Sequence, residues 1–194
     1  KEIMLIGKLG NFSLYFSFLF TFFILANIIS EVKKDNKTNQ FLYSLSFLQF
    51  FFIFLSFLCL IFSFVISDFS LVSVYENSHT DKPLIYKISG TWGNHEGSLL
   101  LWLIVLIFIS FLFLITTKNL DKKYRLKTLF IQNIIIFGFL SFSIFTSNPF
   151  IELVPIPKQG LGLNPILQDP ALAVHPPILY IGYVGSSIFF SSAL

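Results

Sequence analysis

The sequence predicts an all-α polytopic membrane protein, and three observations support that fold class. Of its 194 residues, 55% are hydrophobic and only 12% are charged, whereas soluble domains carry about 25% charged residues. The charges are also grouped, because five separate stretches of more than 20 residues contain no Asp, Glu, Lys or Arg. No run of about ten residues alternates in hydrophobicity as the strands of a membrane barrel do.

Each uncharged stretch predicts one membrane-spanning helix. A helix needs about 20 mostly apolar residues to cross a hydrocarbon core of about 30 Å. The first stretch could also be a secretory signal peptide, but its apolar core is too long and no A-x-A-like cleavage site follows it. We therefore place transmembrane helices at about 11–30, 44–66, 98–116, 128–147 and 176–194.

The positions of the basic residues predict the orientation in the membrane. Eight of the thirteen Lys and Arg residues lie in the short connections 31–40 and 117–127. By the positive-inside rule these connections face the cytoplasm or matrix, and the long connections 67–97 and 148–175 face the opposite side. The basic excess is then an orientation signal, and no basic patch with interleaved aromatic residues indicates nucleic-acid binding. The single cysteine, Cys59, excludes a disulfide framework and a cysteine-based zinc site.

The first long connection ends in an unusual segment, Trp92-Gly-Asn-His-Glu-Gly-Ser98. One interpretation is structural: Ser98 is a good N-cap for the third predicted helix, Glu96 suits the helix dipole, and Trp92 with Trp102 anchors the membrane interface. The other is functional, since His95 and Glu96 are adjacent ionisable groups between glycines that permit close approach. No second metal ligand lies nearby in sequence.

The second long connection is rich in proline and glycine, which excludes a long helix between 148 and 165. Asp169 followed by Pro170 predicts an N-cap and one or two helical turns over 170–174. His175 would then stand between that turn and the fifth helix, whose start is fixed by Pro176 and Pro177. Such a histidine either caps a helix junction or serves as an iron ligand. In the first long connection, His79 is predicted to be a solvated loop residue.

At these segments the sequence resembles the CcmF family, the heme lyases of cytochrome c maturation in bacteria and some mitochondria. The resemblance covers the whole chain as the N-terminal part of such a protein. It rests on the segments Gly7–Phe12, Thr91–Trp102, Leu163–Pro165, Gln168–Pro170 and His175–Gly185.

The resemblance implies a role for one residue above all. In the family, the histidine that matches His175 is a heme-iron ligand on the outer face. Members of the family take heme from a chaperone and attach it to the two cysteines of an apocytochrome c Cys-x-x-Cys-His site. The remaining motif residues have no role assigned by the resemblance: Trp92, Gly93, Asn94, His95, Glu96, Gly97, Asp169, Pro170, Pro176 and Pro177.

The sequence also departs from the family. Members continue into a Trp-rich heme-handling segment with a second outer-face histidine, whereas Trp92 and Trp102 are the two tryptophans here. We therefore expect residues 1–194 to form one membrane domain that is inactive alone and is completed by another chain or by further sequence. The alternative is a structural membrane subunit, derived from a heme lyase, that binds no heme within a larger respiratory or biogenesis complex.

The composition also suggests a compartment. The sequence has 27 Phe and four Ala residues, as expected from an A+T-rich coding sequence in which any apolar residue serves. This indicates a mitochondrial inner-membrane protein, with a bacterial inner-membrane protein as the alternative.

Overall fold

Five membrane-spanning segments carry the fold in the computed structural model, which describes residues 2–34 and 39–194. Each is long and apolar enough to cross a bilayer, which confirms the predicted fold class. Lys1 and Lys37, which entered the charge count, lie outside the described residues. The helices, in chain order, are α1 (Glu2–Glu31), α2 (Gln40–Val65), α3 (Val72–Asn77), α4 (Leu84–Gly90), α5 (His95–Thr116), α6 (Lys122–Phe145), α7 (Pro170–Gly185) and α8 (Ser187–Ala193).

The fourth span begins earlier than the expected boundary at 128. The Asp121 side chain caps α6 by accepting a hydrogen bond from the Tyr124 backbone N–H at 2.9 Å. Most of the basic connection predicted over 117–127 is therefore helical. Arg125, counted there as a loop residue, is only 4% exposed and donates from Nη2 to the Tyr43 hydroxyl at 3.0 Å and the Leu114 carbonyl at 3.2 Å. Charged residues can start a helix outside the hydrocarbon, so a charge gap marks the membrane core and not the helix ends.

A polar network joins four helices in the interior. The Gln49 amide nitrogen on α2 donates to Thr21 on α1 at 2.8 Å and to Asn133 on α6 at 3.3 Å, and the Asn133 amide nitrogen lies 3.4 Å from the Ser110 hydroxyl on α5. On the other side of α6, Gln132 bonds Ser187 and Ser191 of α8 at 2.9 and 2.7 Å. Inside a bilayer, such bonds and close packing hold helices together because lipid supplies no hydrophobic drive between them.

The two long connections bind each other through their backbones. A single antiparallel bridge pairs Leu71 with Glu152, where Val72 N–H donates to the Ile151 carbonyl at 2.9 Å. Further along, Gly160 lies so close to the Ser78 carbonyl that any Cβ would overlap it. As predicted, no long helix forms between 148 and 165, and a single 3₁₀ turn, Pro165–Leu167, follows. Both motif segments follow these paired parts of the two long connections, which therefore fix where the segments begin.

The expected start of the fifth span at Pro176 is wrong. One continuous helix, α7, runs from Pro170 to Gly185 with Pro176 and Pro177 inside it, so His175 is a helical residue and not a junction. Proline has no N–H and its ring crowds the carbonyl four residues earlier, which normally ends or kinks a helix. Membrane helices tolerate proline where other groups satisfy the freed carbonyl, and one of the two freed carbonyls here has such a partner.

Candidate functional site

The first motif segment is a tightly capped start of α5. The Asn94 side-chain oxygen accepts the Gly97 N–H at 2.8 Å, and its amide nitrogen donates to the Gly90 and Thr91 carbonyls at 2.8 and 3.2 Å. Asn94 is thus the N-cap, and the expectation that Ser98 fills that position is wrong. Asparagine caps as well as serine does, so the helix begins four residues sooner. The Ser98 hydroxyl instead donates to the Trp92 carbonyl at 2.7 Å.

A glycine is required at position 97. Any Cβ on Gly97 would overlap the carbonyl oxygen of Thr91, a backbone atom that cannot swing aside. The glycine predicted to permit close approach therefore admits the protein's own backbone. Gly93 plays a milder part, since a Cβ there would lie 3.1 Å from the Leu163 side chain of the second long connection.

The adjacent ionisable residues of this motif do not bond each other. His95 Nε2 lies 3.0 Å from the Ser147 hydroxyl, just beyond the end of α6, and the ring packs edge-on against Phe142. Glu96 stands half-buried in the first turn of α5, where the helix dipole favours a carboxylate. Sequence reasoning missed Ser147, although its place between an uncharged stretch and Asn-Pro marks it as a helix-end residue.

Trp92 connects the first motif to the second. Its indole Nε1 donates to the carbonyl of Ala173 at 2.8 Å. In an ideal helix that carbonyl would receive the N–H of residue 177, but Pro177 has none. The Trp92 indole therefore satisfies a carbonyl that proline has freed, two residues before His175. Trp92 and the proline pair were both visible in the sequence, but the contact between them depends on the fold.

Further contacts hold α7 against α5. The Tyr180 hydroxyl lies 3.4 Å from that of Ser98, and the rings of Tyr180 and Tyr183 pack on Trp102 with centroids 6.4 and 6.3 Å apart. Among the small residues of the last span, Ser187 bonds Gln132 and Gly185 lies near Ile109, while a Cβ on Gly182 would meet nothing within 4 Å. One side of α7 is thus fixed and the other is open.

The start of α7 is capped as predicted. Asp169 accepts hydrogen bonds from the backbone N–H groups of Ala171 at 2.8 Å and Leu172 at 3.1 Å, with Pro170 at the first helical position. Between them, Asp169 and Trp92 fix the first turns of α7. The orientation of the next turn, which carries His175, follows from that.

His175 projects from the open side of α7. Its side chain is exposed and makes no hydrogen bond or ion pair with any described residue. Ala171, one turn before it, and Ile178 and Leu179, one turn after it, are also exposed. Residues three and four apart share a helix face, so a single imidazole stands on an uncharged apolar surface.

A cavity of about 340 Å³ separates the two motifs, which is near the lower end of the range for small-molecule sites. The buried hydroxyl of Ser89 in its wall has no hydrogen-bond partner among the described residues. His95 lies in the wall, whereas His175 does not. The lining residues from the two motif regions are Ser89, Trp92, Gly93, Asn94, His95, Ser98, Leu167, Leu172, Ala173 and Pro176.

The donor set around His175 fits a heme in one respect. A free imidazole is a common iron ligand, and an uncharged apolar helix face suits a flat porphyrin. Within the part of the chain that the structure describes, no three His, Cys, Asp or Glu side chains cluster to hold a metal ion. Among the described residues, the feature that fits a heme is therefore one exposed histidine on an apolar helix face.

Lys82 supports the start of the second motif from the first connection. Its ammonium donates to the Leu163 carbonyl at 3.1 Å, and the Gln168 side chain donates to the same oxygen at 3.0 Å. Burial lowers the pKa of Lys82 below its ordinary value. His79, predicted to be solvated, lies partly exposed beside the Asp81 carboxylate at 3.5 Å.

Comparisons with known proteins agree with this geometry. The family described as "Cytochrome C assembly protein" matches residues 92–194, which includes both motifs. A cytochrome c-type biogenesis protein CycK of Rhizobium meliloti is 53% identical over 139 residues, covering 72% of this chain and 21% of its own length. A CcmF of Haemophilus influenzae is 38% identical over 192 residues, covering 98% of this chain and 30% of its own length.

A solved structure shows the same fold. The structure named "Cytochrome c Heme Lyase CcmF" superposes with a TM-score of 0.79 at 25% identity, over 96% of this chain and 29% of that one. The chain thus spans between a fifth and a third of the length of the relatives described above. These matches are consistent with the two motifs and the five spans. The chain belongs to the cytochrome c assembly protein family and, as its motifs predicted, corresponds to the N-terminal part of a CcmF protein.

Proposed function

We propose that this chain is the N-terminal membrane part of a cytochrome c heme lyase and that His175 would bind heme iron. The observation that carries the proposal is the free imidazole of His175 on the open apolar face of α7. That helix is oriented by Trp92 and Asp169. A histidine kept only to cap a helix would bond a backbone group, and His175 bonds none in the described chain.

The residues of this chain would bind and orient the cofactor. A ring nitrogen of His175 would bind the iron, while Ala171, Ile178 and Leu179 would offer the porphyrin an apolar surface that excludes water. Heme, when bound, supplies two vinyl groups; each cysteine S–H of the apocytochrome adds across one vinyl double bond, so a thioether forms and no atom is lost. We assign no further iron ligand among the described residues, so this chain would supply only part of the heme site.

We also propose the setting in which the chain works. Residues 1–194 act as one membrane domain completed by the remaining heme-lyase segment, in the same or another polypeptide. Apocytochrome c and a heme chaperone approach the long connections from the intermembrane space or periplasm. The matches to CycK and CcmF support this arrangement, as does the grouping of eight of the thirteen basic residues in the short connections at the opposite end. The high Phe content and low Ala content support a mitochondrial inner membrane.

The direct test is complementation. A bacterium lacking its own heme lyase would express this chain, the remaining segment of a CcmF protein and an apocytochrome c, and covalent heme would be measured on a denaturing gel. We expect thioether-linked cytochrome from the wild-type chain and little or none from His175→Ala. His79→Ala, which makes the same substitution at a histidine of the first long connection, is the matched control and should give the wild-type yield of cytochrome.

Two results would contradict the proposal. Normal cytochrome yield from His175→Ala would show that His175 is not the ligand. If the complex assembles but neither forms cytochrome nor holds heme, the chain is instead a structural subunit without heme.

A further inference from the structure

A second candidate site lies at the opposite end of the molecule, between α1 and α6. There the end of α1 and the start of α6 border a groove of about 410 Å³. Its length runs along the two helices from the basic connections toward the middle of the membrane span. The wall is formed mostly by seven apolar residues: Ile28, Ile29, Val32, Leu126, Phe130, Ile131 and Leu194.

Two lysines stand at the mouth of this groove. Lys33 and Lys127 both line it, both are exposed, and neither makes a hydrogen bond or ion pair with any described residue. The nearby carboxylate of Glu31 does not neutralise them, because it is only 2% exposed and is already paired with Lys34 at 2.9 Å and Lys122 at 3.5 Å. Two positive charges therefore stand beside the apolar wall of the groove.

The same end of the bundle contains a natural control. A groove of about 440 Å³ between the start of α2 and the end of α5 is similar in size and also apolar, and its walls include Tyr43, Phe47, Phe111 and Ile115. No charged residue lines it, and the two cations beside it are both engaged with Tyr43: the Lys118 ammonium lies 5.7 Å from the ring centroid and Arg125 donates to the hydroxyl. Of the two grooves, the α1/α6 groove alone has lysines in its wall, so the comparison tests what Lys33 and Lys127 add to an apolar groove.

We propose that the α1/α6 groove binds an anionic phospholipid, with an acyl chain in the apolar channel and the phosphate paired with Lys33 and Lys127. Basic pockets between transmembrane helices are known to hold anionic headgroups, and each nearby lysine contributes to the attraction. Lysine stems can also lie along apolar walls while their ammonium groups stay at the headgroup level. The α2/α5 groove would accept acyl chains without a preference for headgroup charge.

The test compares headgroups at both grooves of the full chain. The protein would be reconstituted in phosphatidylcholine nanodiscs that contain a photoactivatable acyl probe on either phosphatidylglycerol or phosphatidylcholine, and cross-linked peptides would be quantified. At low salt we expect a preference for phosphatidylglycerol of roughly 5-fold for each lysine at the α1/α6 groove and none at the α2/α5 groove. High salt should reduce the preference.

Variants make the assignment specific. Lys33→Gln with Lys127→Gln should abolish the preference, while Lys8→Gln with Lys158→Gln, which removes the same charge away from both grooves, should leave it intact. Unchanged phosphatidylcholine labelling in both grooves verifies that each variant is folded. Equal headgroup labelling of the two grooves in the wild-type chain would overturn the proposal, as would an unaltered preference in the Lys33/Lys127 variant.

Discussion

The two motifs of this chain use their polar residues in opposite ways. In the first, the side chains of Trp92, Asn94 and Ser98 are engaged in hydrogen bonds within the protein, and Gly97 admits a backbone carbonyl. In the second, His175 has no partner in the described chain and faces outward. A motif can thus be distinctive because it builds a scaffold or because it presents a ligand. Here the first motif positions the helix on which the second presents its histidine.

The largest effect should come from a methyl group in the scaffold. Gly97→Ala places a Cβ on the Thr91 carbonyl, and such overpacking costs about 3 kcal/mol, or roughly 6–12 °C in the melting temperature of a chain this size. Thermal unfolding in detergent, followed by circular dichroism, measures it.

The control for that experiment is Gly138→Ala on α6, where a Cβ would meet nothing within 4 Å. That variant should melt at or slightly above the wild-type temperature, because alanine favours helix more than glycine does. Equal melting temperatures for the two variants would mean that the first motif is not the tight scaffold described above.

A smaller effect should come from the link between the motifs. Trp92→Phe removes the donor to the Ala173 carbonyl, and an unsatisfied buried carbonyl costs about 1–3 kcal/mol. Pro177→Ala restores an N–H that can reach the same carbonyl within the helix. The cost of Trp92→Phe should therefore be clearly smaller in the Pro177→Ala background.

This double-mutant cycle is read from unfolding free energies and from hydrogen exchange at the amides of α7. Faster exchange in the turns around His175 is expected for Trp92→Phe alone. If Trp92→Phe lowers the free energy of unfolding equally in both backgrounds, the indole does not compensate for the N–H that Pro177 lacks. The hydrogen bond between the two motifs would then not stabilise α7.

The smallest effect concerns the support of the second motif by Lys82. Since burial lowers its pKa in the folded state, the unfolded state binds more protons between that lowered value and the ordinary 10.5. Stability should therefore rise with pH through this window. The slope should be absent in Lys82→Gln, measured by denaturation at several alkaline pH values; an equal slope in that variant would assign it to other groups.

Much of the fold could be predicted because the bilayer imposes a simple rule. Charges are excluded from the hydrocarbon core, so the uncharged stretches located all five spans. Their ends were less predictable, as Lys122 to Lys127 show by continuing α6 beyond the charge-free stretch. The interior network around Gln49 and Asn133 could not be foreseen, because its bonds join helices distant in sequence.

For the candidate site, local chemistry was predictable and long-range chemistry was not. Asp169 as a cap follows from its place before Pro170. The continuation of α7 through Pro176 and Pro177 depends instead on a donor 81 residues earlier in the chain. Propensity alone argues for a break at the prolines, and only the folded arrangement supplies the bond that allows the helix to continue.

The most direct test of the central claim is the heme spectrum of the complex formed by this chain and its completing segment. The wild-type complex should show a Soret band typical of histidine-ligated heme. His175→Gly should lose that band and regain it when imidazole is added, while His95→Ala, whose side chain faces Ser147, should retain it. A His175→Gly complex with the wild-type spectrum and heme affinity would contradict the account.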